Sequence, residues 1–167
     1  MSEFKRRHFL REKEATQLLD DFSEKLNIDL RQLFSGIVQL EEAETQTAKI
    51  YFINNKPLLA IFNNTIVPTF LSNEILDTLP KIVVNMGAVP HLCNGADLMA
   101  PGVVRIEKDY NKGSYVVVVD ERHNKPLAIA TALEDAQSAR NMKHGKIARN
   151  IHYVGDALWN HLKKERL

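Results

Sequence analysis

A cluster of basic side chains near the carboxyl end offers the clearest chemistry in the sequence. Within residues 136–155 there is no aspartate or glutamate, and the following cationic and imidazole side chains occur: Arg140, Lys143, Lys146, Arg149, His144 and His152. Cationic side chains on a common surface attract phosphate, although a charge cluster more often forms only a solvated face. The cluster therefore indicates a phosphate-binding surface, with a solvated face as the alternative.

A second stretch, Met86–Val103, supplies shape rather than charge. It contains the pairs Gly95-Ala96 and Pro101-Gly102. Glycine allows another polymer to approach the backbone closely, and free amides at such positions donate to phosphate. The same residues could instead only shape the turns of a small barrel.

The sequence lacks the patterns of enzymatic and metal chemistry. His91 and Cys93 are two residues apart in an expected helix, so their side chains would point in different directions and could not form a base and nucleophile pair. The six histidines and the single cysteine do not have the spacing of a metal site. No Gly-Lys-Ser/Thr phosphate loop or dinucleotide fingerprint occurs. We therefore expect no catalytic residue, no metal and no cofactor.

Charge and composition narrow the class further. Residues 1–80 contain 9 Lys+Arg and 12 Asp+Glu, whereas residues 81–167 contain 13 and 9, so the positive field belongs to the second half. No apolar run approaches the roughly 18 residues of a membrane span, and the basic start is not followed by the apolar core of a signal peptide. The single cysteine cannot form an internal disulfide. These features predict a cytoplasmic protein without a membrane segment.

Hydrophobic spacing predicts the elements that would position these residues. Apolar residues at intervals of three and four predict a helix over Glu12–Leu26. The strands expected in the first half are Ile37–Leu40, Thr47–Ile53 and Leu58–Phe62, the last two joined by a turn at Asn54–Pro57. The sequence changes in character near Pro80, where we place a domain boundary.

The second half reads as short strands separated by frequent turns. We expect a short helix over Gly87–Asn94 that Gly95 stops, followed by a second turn at Ala96–Met99. The expected strands are Ile82–Val84, Val103–Ile106, Tyr115–Val119, Leu127–Leu133 and Ile147–Val154, of which Tyr115–Val119 should be buried on both faces. This pattern is typical of a small barrel or curled sheet.

The motifs of the second half also occur in a specific order. They are Met86-Gly87-Ala88, then Asn94-Gly95-Ala96-Asp97-Leu98-Met99, Pro101-Gly102-Val103, and Lys112-Gly113 before a strand. Residues 81–154 strongly resemble a PUA domain, the small pseudo-barrel found in RNA-modifying enzymes and translation proteins. The ending, Ile147–Trp159, is similar to that of the malignant T-cell amplified protein family and its archaeal relatives. Those proteins place a small α/β domain ahead of the PUA domain, and residues 1–80 resemble it in element order.

The resemblance implies an α+β protein of two domains. Residues 1–80 would be a small α/β pre-PUA-like domain, and residues 81–167 a PUA-like pseudo-β-barrel with short helices. It further implies non-enzymatic RNA binding in translation, at rRNA of the small ribosomal subunit or at tRNA, during initiation, reinitiation or recycling. In some lineages it implies a protein partner with an initiation-factor-like domain.

We expect the RNA contacts at Asn94, Gly95, Ala96, Arg105, Lys143, Lys146 and Arg149. The resemblance favours a contact at Gly95-Ala96 over one at Pro101-Gly102. Arg105 could instead pair with Glu107, which is on the same side of the strand. His152-Tyr153 could stack on a base, with packing of Tyr153 in the barrel as the alternative.

Other functions remain open at the level of sequence. An RNA-modification enzyme or its accessory subunit is the main alternative, because PUA domains are often appended to such enzymes. Residues 1–80 are, however, too few for most of their catalytic domains. An adaptor whose first domain docks a protein partner is another alternative. The cluster Lys5–His8, with Arg11 and Lys13, could be a second phosphate contact or a solvated edge that discourages strand pairing.

Overall fold

The computed structural model describes residues 5–36 and 39–166, and the chain divides into two compact units. The first unit comprises Met1–Thr78 together with Asn160–Leu167, and the second comprises Leu79–Trp159. The break after Thr78 is next to the boundary expected near Pro80, whereas the last residues of the chain group with the first unit rather than with the second. Both units combine helices with strands, so the predicted α+β class is confirmed.

The first unit contains a five-stranded antiparallel sheet in the order β1-β2-β3-β4-β5. Its strands are β1 (Lys5–Phe9), β2 (Leu40–Glu44), β3 (Ala48–Ile53), β4 (Lys56–Phe62) and β5 (Thr65–Pro68), and its helices are α1 (Glu12–Leu26), α2 (Leu30–Leu33) and α3 (Asn73–Leu76). The helix α1 has the predicted bounds and buries Leu19, Phe22 and Leu26. The ring of Phe22 meets that of Tyr51 edge-on at 5.2 Å, so α1 packs against β3.

Two features of this sheet differ from expectation. Asn54 and Asn55 both have positive φ, 51° and 69°, so a two-residue turn suffices and Lys56-Pro57 already belongs to β4. Asparagine tolerates this conformation, which suits tight hairpins. The strand expected at Ile37–Leu40 lies outside the described residues at positions 37 and 38. The described strand begins at Leu40 and extends to Glu44 through acidic residues that periodicity did not indicate.

The basic cluster of β1 is engaged within the first unit. The Arg7 Nε donates to Glu41 Oε2 at 2.8 Å, and the Arg7 guanidinium lies 4.0 Å from the centre of the Phe52 ring. The Arg6 guanidinium lies 3.7 Å from the carboxylate of Glu44. These contacts join the edge strand β1 to β2 and β3, and they favour a structural role for Arg6 and Arg7 over a phosphate contact.

The second unit contains a six-stranded sheet in the order β7-β11-β10-β9-β6-β8. Its strands are β6 (Lys81–Val84), β7 (Leu98–Met99), β8 (Val103–Ile106), β9 (Tyr115–Asp120), β10 (Pro126–Ala132) and β11 (Lys146–Tyr153). A 3₁₀ turn at Met86–Ala88 precedes α4 (Val89–Leu92), α5 (Ala136–Asn141) follows β10, and α6 (Ala157–Arg166) ends the described chain. All six residues of β9 are buried, as predicted, and burial raises the pKa of Tyr115 to about 12.

The sheet of the second unit curls because a short segment connects its two edge strands. The strand β7 pairs with β11 at one edge, and β8 pairs with β6 at the other. Only residues 100–102 separate β7 from β8, so the two edges must lie close together, as in a barrel. The predicted PUA-like pseudo-barrel is therefore confirmed.

The second turn predicted at Ala96–Met99 is wrong for Leu98 and Met99. Leu98 and Met99 form the strand β7, in which Leu98 is opposite Ala148 and Met99 is opposite Lys146 of β11. A strand of two residues has no periodicity of its own, and long-range pairing with β11 determines its conformation.

Candidate nucleic-acid interface

A groove of about 420 Å³ lies in the second unit between two walls. The 3₁₀ turn and α4 form one wall, and β7 with residues 100–102 forms the other. Its lining includes Asn85, Ala88, His91, Ala96, Met99 and Gly102. We call this feature the 85–102 groove. Its surface is mostly backbone and small or apolar side chains, so it offers shape more than charge.

The two walls touch at Gly102. A Cβ at this position would lie 3.1 Å from the Cβ of Ala88. The backbone N–H of Asn85 donates to the Gly102 carbonyl at 2.9 Å, and the Asn85 Oδ1 accepts from the Ala88 N–H at 3.0 Å. These contacts give Pro101-Gly102 a structural role in shaping the groove.

The loop Asn94–Ala96 borders the same groove and depends on glycine. Gly95 has a φ of +92°, and a Cβ there would lie 3.2 Å from the ring of Tyr153. A side chain at position 95 would therefore be strained by the backbone and crowded by the ring. Asn94 and Ala96 are exposed, so this loop remains a surface that another polymer could approach closely.

The amides of this loop are already used. The Gly95 N–H donates to the Leu92 carbonyl at 3.1 Å, and the Ala96 N–H donates to the His91 carbonyl at 3.0 Å. Both bonds satisfy carbonyls at the end of α4, as helix C-termini require. The expectation that Gly95-Ala96 presents free amides to phosphate is therefore wrong.

Asn150 of β11 stabilises the loop Asn94–Ala96 through hydrogen bonds. Its Nδ2 donates to the carbonyls of Leu92 and Ala96, at 3.0 Å in each case. Its backbone N–H donates to Asp97 Oδ1 at 3.0 Å. Sequence reasoning missed both Asn150 and Asp97, because a single residue of each kind carries no signal and 53 positions separate the two.

Lys146 lies at the rim of the groove but is paired. It is opposite Met99 in the register of β11 and β7, and Met99 is one of the lining residues. Its Nζ lies 3.1 Å from Asp97 Oδ2, with the two side chains 61% and 27% exposed. A phosphate at this rim would therefore compete with Asp97 for Lys146.

Two further predicted cations lie within three positions of Lys146 in the chain. The segment that carries Lys143 lies beside β7, because the Ala100 N–H donates to the Gly145 carbonyl at 2.9 Å. Arg149 is in β11, three positions beyond Lys146, and is opposite Thr131 of β10. Lys143 and Arg149 are exposed and form no ion pair within residues 5–36 and 39–166.

The structure does not bring Arg140 or Arg105 into this group. Arg140 bonds the Asp109 carboxylate and donates to the Ile106 carbonyl at 3.1 Å. The Arg105 Nε donates to Glu107 Oε1 at 3.2 Å, which is the alternative that the sequence left open.

The remaining chemical candidates have structural roles. His152 is fully buried and hydrogen-bonds Asp156 at 2.7 Å, so it cannot stack on a base. Cys93 is half-buried, and burial raises the pKa of its thiol, which disfavours the reactive thiolate. The described residues contain no group of three or more His, Cys, Asp or Glu side chains that could hold a metal ion.

None of the described helices is both long and apolar enough to span a bilayer.

Two sequence families account for most of the chain. The model of the PUA domain matches residues 80–154, and that of a domain of unknown function, DUF1947, matches residues 6–72. These matches fall in the second and first units, respectively.

Relatives match this chain over most of their length. An uncharacterised protein of Methanocaldococcus jannaschii is 33% identical over 164 residues, which cover 95% of this chain and 98% of that protein. The translation machinery-associated protein 20 of Schizosaccharomyces pombe is 31% identical over 116 residues, which cover 66% and 64% of the two chains. A crystal structure of a PUA domain protein from Aeropyrum pernix has a TM-score of 0.80 at 27% identity, covering 94% and 90%. The chain belongs to the family of PUA domain proteins that carry a DUF1947 domain ahead of the PUA domain.

Proposed function

We propose that this protein binds RNA without catalysing a reaction and acts in translation, on rRNA of the small ribosomal subunit or on tRNA. The observation that carries the proposal is the 85–102 groove with Lys146 at its rim and the exposed cations Lys143 and Arg149 within three positions of Lys146 in the chain. The family supports it, since the PUA domain is an RNA-binding domain and the S. pombe relative is named for the translation machinery.

The groove and the cations would make different contributions. Lys and Arg side chains that neutralise phosphates supply affinity that falls as salt rises. The groove volume is within the range of small-molecule sites, about 300–1,000 Å³, so it suits one or two unpaired nucleotides rather than a duplex. Recognition of unpaired bases is the usual origin of specificity for RNA.

The test is a binding titration over a range of salt concentrations. The full chain is titrated against tRNA and against purified small subunits, beside the triple variant Lys143→Gln, Lys146→Gln and Arg149→Gln. Each lost phosphate contact reduces the slope of log K against log salt by about 0.7 for a single strand, so the triple variant should lose about 2. Absence of binding at low salt, or an unchanged slope in the triple variant, would refute the proposal.

RNA modification is tested separately. The RNA is incubated with the protein and candidate cofactors, and its nucleosides are then analysed by mass spectrometry. We expect unaltered nucleosides, because the chemistry-bearing side chains of the groove are limited to Asp97 and His91. A modified nucleoside that depends on the protein would replace the binding function with an enzymatic one.

We also propose a cytoplasmic protein whose first unit contacts a partner with an initiation-factor-like domain. An exposed aromatic side chain on the edge strand supports this: Phe9 of β1 is 61% exposed. An edge strand presents unpaired backbone groups that can pair with another chain. A purified candidate partner should be captured by the full chain and much less by the Phe9→Ser variant. Equal capture by both would argue against this surface.

A further inference from the structure

A basic turn outside the predicted site joins β9 to β10. Its five residues, Glu121–Lys125, are all exposed, and we call it the 121–125 turn. The carboxylate of the buried Asp120 accepts from the backbone N–H groups of Arg122, His123 and Lys125, at 2.9, 2.6 and 3.1 Å. These bonds, that from His123 above all, hold the pKa of Asp120 below its ordinary value. The turn is therefore fixed by an ionised side chain beneath it, while its own side chains remain in solvent.

The register of the sheet places this turn at one end of the 85–102 groove. The strands β6 and β9 are parallel, Val84 is opposite Asp120, and the Glu121 N–H donates to the Val84 carbonyl at 3.0 Å. The next residue, Asn85, lines the groove and bonds Gly102 across it. Neighbouring strands are about 4.8 Å apart, so the turn starts about one strand spacing from the groove wall. An arginine or lysine side chain spans that distance.

Lys146 lies towards the opposite end of the same strands. It precedes Ala148, which is opposite Ala132 at the far end of β10 from Pro126. Cations therefore lie beside the groove at two places, with Lys146 opposite Met99 and the 121–125 turn next to Asn85.

The charges of the turn are available for a ligand. Arg122 and Lys125 form no ion pair within the described parts of the chain, unlike Lys146. Glu121 is the one exposed acid among the five residues, and the charge of Asp120 is already stabilised by three amides. An Arg guanidinium on a fixed backbone binds phosphate oxygens in a bidentate manner with little loss of entropy.

We propose that the 121–125 turn is a second backbone-contact site for the same RNA. Arg122 and Lys125 neutralise phosphates of the strand segment that leaves the groove at its Asn85 end. This inference rests on the proposed function, and it extends the binding surface beyond the cluster at residues 140–149.

The test compares two double variants of the full chain with equal charge. The first is Arg122→Gln with Lys125→Gln, which leaves the backbone bonds to Asp120 in place. The matched control is Lys108→Gln with Lys112→Gln, two exposed lysines at the other ends of β8 and β9 from the turn. Each variant is titrated with tRNA and with small subunits over a range of salt concentrations, after thermal melting has confirmed its folding.

The first double variant should reduce the salt slope by about 1.4, so the ratio of wild-type to variant affinity should be roughly 25-fold larger at 0.1 M salt than at 1 M. The control should keep the wild-type slope, and Glu121→Gln should bind a few-fold more tightly. An unchanged slope in Arg122→Gln/Lys125→Gln, beside a loss in the triple variant at residues 143, 146 and 149, would overturn this inference and leave the proposed function intact. Equal losses in both double variants would also overturn it, because net charge rather than position would then set the affinity. A wild-type chain that binds no RNA would refute the proposed function itself.

Discussion

Asp97 restrains two groups at the groove, and only one of them should oppose RNA binding. Its Oδ1 accepts from the Asn150 N–H at 3.0 Å, and its Oδ2 lies 3.1 Å from Lys146 Nζ. We predict that Asp97→Asn strengthens RNA binding. The amide keeps an oxygen for the N–H of Asn150 but removes the negative charge that competes with phosphate for Lys146.

The magnitude follows from the exposure of the pair. With side chains 61% and 27% exposed, the ion pair contributes about 0.2–1 kcal/mol, the range of surface pairs. Release of Lys146 alone therefore raises affinity about 1.4- to 5-fold, and loss of a negative charge near phosphate acts in the same direction. Loss of the pair should lower the Tm by no more than about 4 °C for a chain of this size.

A double-mutant cycle isolates the effect. RNA affinity is measured by fluorescence anisotropy for the wild type, Asp97→Asn, Lys146→Gln and the double variant, at one salt concentration. The part of the gain that comes from the release of Lys146 should disappear when position 146 is glutamine, so Asp97→Asn should raise the affinity less in that background. A gain of equal size in both backgrounds would show a general charge effect, and a loss of affinity at unchanged Tm would contradict the competition outright.

Three further predictions concern the groove and the turn. Gly95→Ala should lower the free energy of unfolding in urea by about 1–2 kcal/mol, because the φ of Gly95 is left-handed. Part of this loss should be recovered in a Tyr153→Ala background. A loss of the same size in both backgrounds would contradict the crowding by the Tyr153 ring. Asn150→Ala removes two bonds to carbonyls and should cost about 1–3 kcal/mol, with faster hydrogen exchange of the Ala96 amide as the local signature. Because Asp120 has a lowered folded pKa, its stabilisation is present above the ordinary carboxyl pKa and is lost as pH falls through the lowered value. The difference in free energy of unfolding between wild type and Asp120→Asn should therefore be larger at about pH 6 than at about pH 3. A difference that does not change with pH would refute the lowered pKa of Asp120.

Local patterns were sufficient to predict most of the fold. The β-branched run of β9 indicated a strand buried on both faces, and the apolar spacing of α1 gave its bounds. The predictions failed for elements whose conformation depends on partners distant in the sequence. The strand β7 exists because β11 pairs with it, and β2 remains a strand through its acidic residues because Arg7 and Arg6 of β1 neutralise two of them.

The candidate site was predictable by residue type but not by pairing. The sequence indicated a basic cluster beside a glycine-rich stretch, and the structure brings Lys146 to the groove that this stretch forms. It could not indicate that Arg140 is bound to Asp109, 31 positions away, or that the loop amides are consumed by the end of α4. The 121–125 turn escaped notice because its position depends on the parallel pairing of β6 with β9.

The net charge of the chain is only +1, and several of its arginines are held in ion pairs. We therefore expect a few well-placed cations, rather than a broad positive field, to determine RNA affinity. Among the described cations that we propose as phosphate contacts, Lys143, Arg149, Arg122 and Lys125 form no ion pair, and Lys146 must first leave Asp97. Five contacts to a single strand give a slope of log K against log salt of about −3.5. Participation of Arg105 and Arg140 would first require their bonds to Glu107 and Asp109 to break, and it would move the slope to about −5. A measured slope near the steeper value would mean that RNA displaces those acids, and the division between structural and RNA-binding cations drawn from the structure would then be wrong.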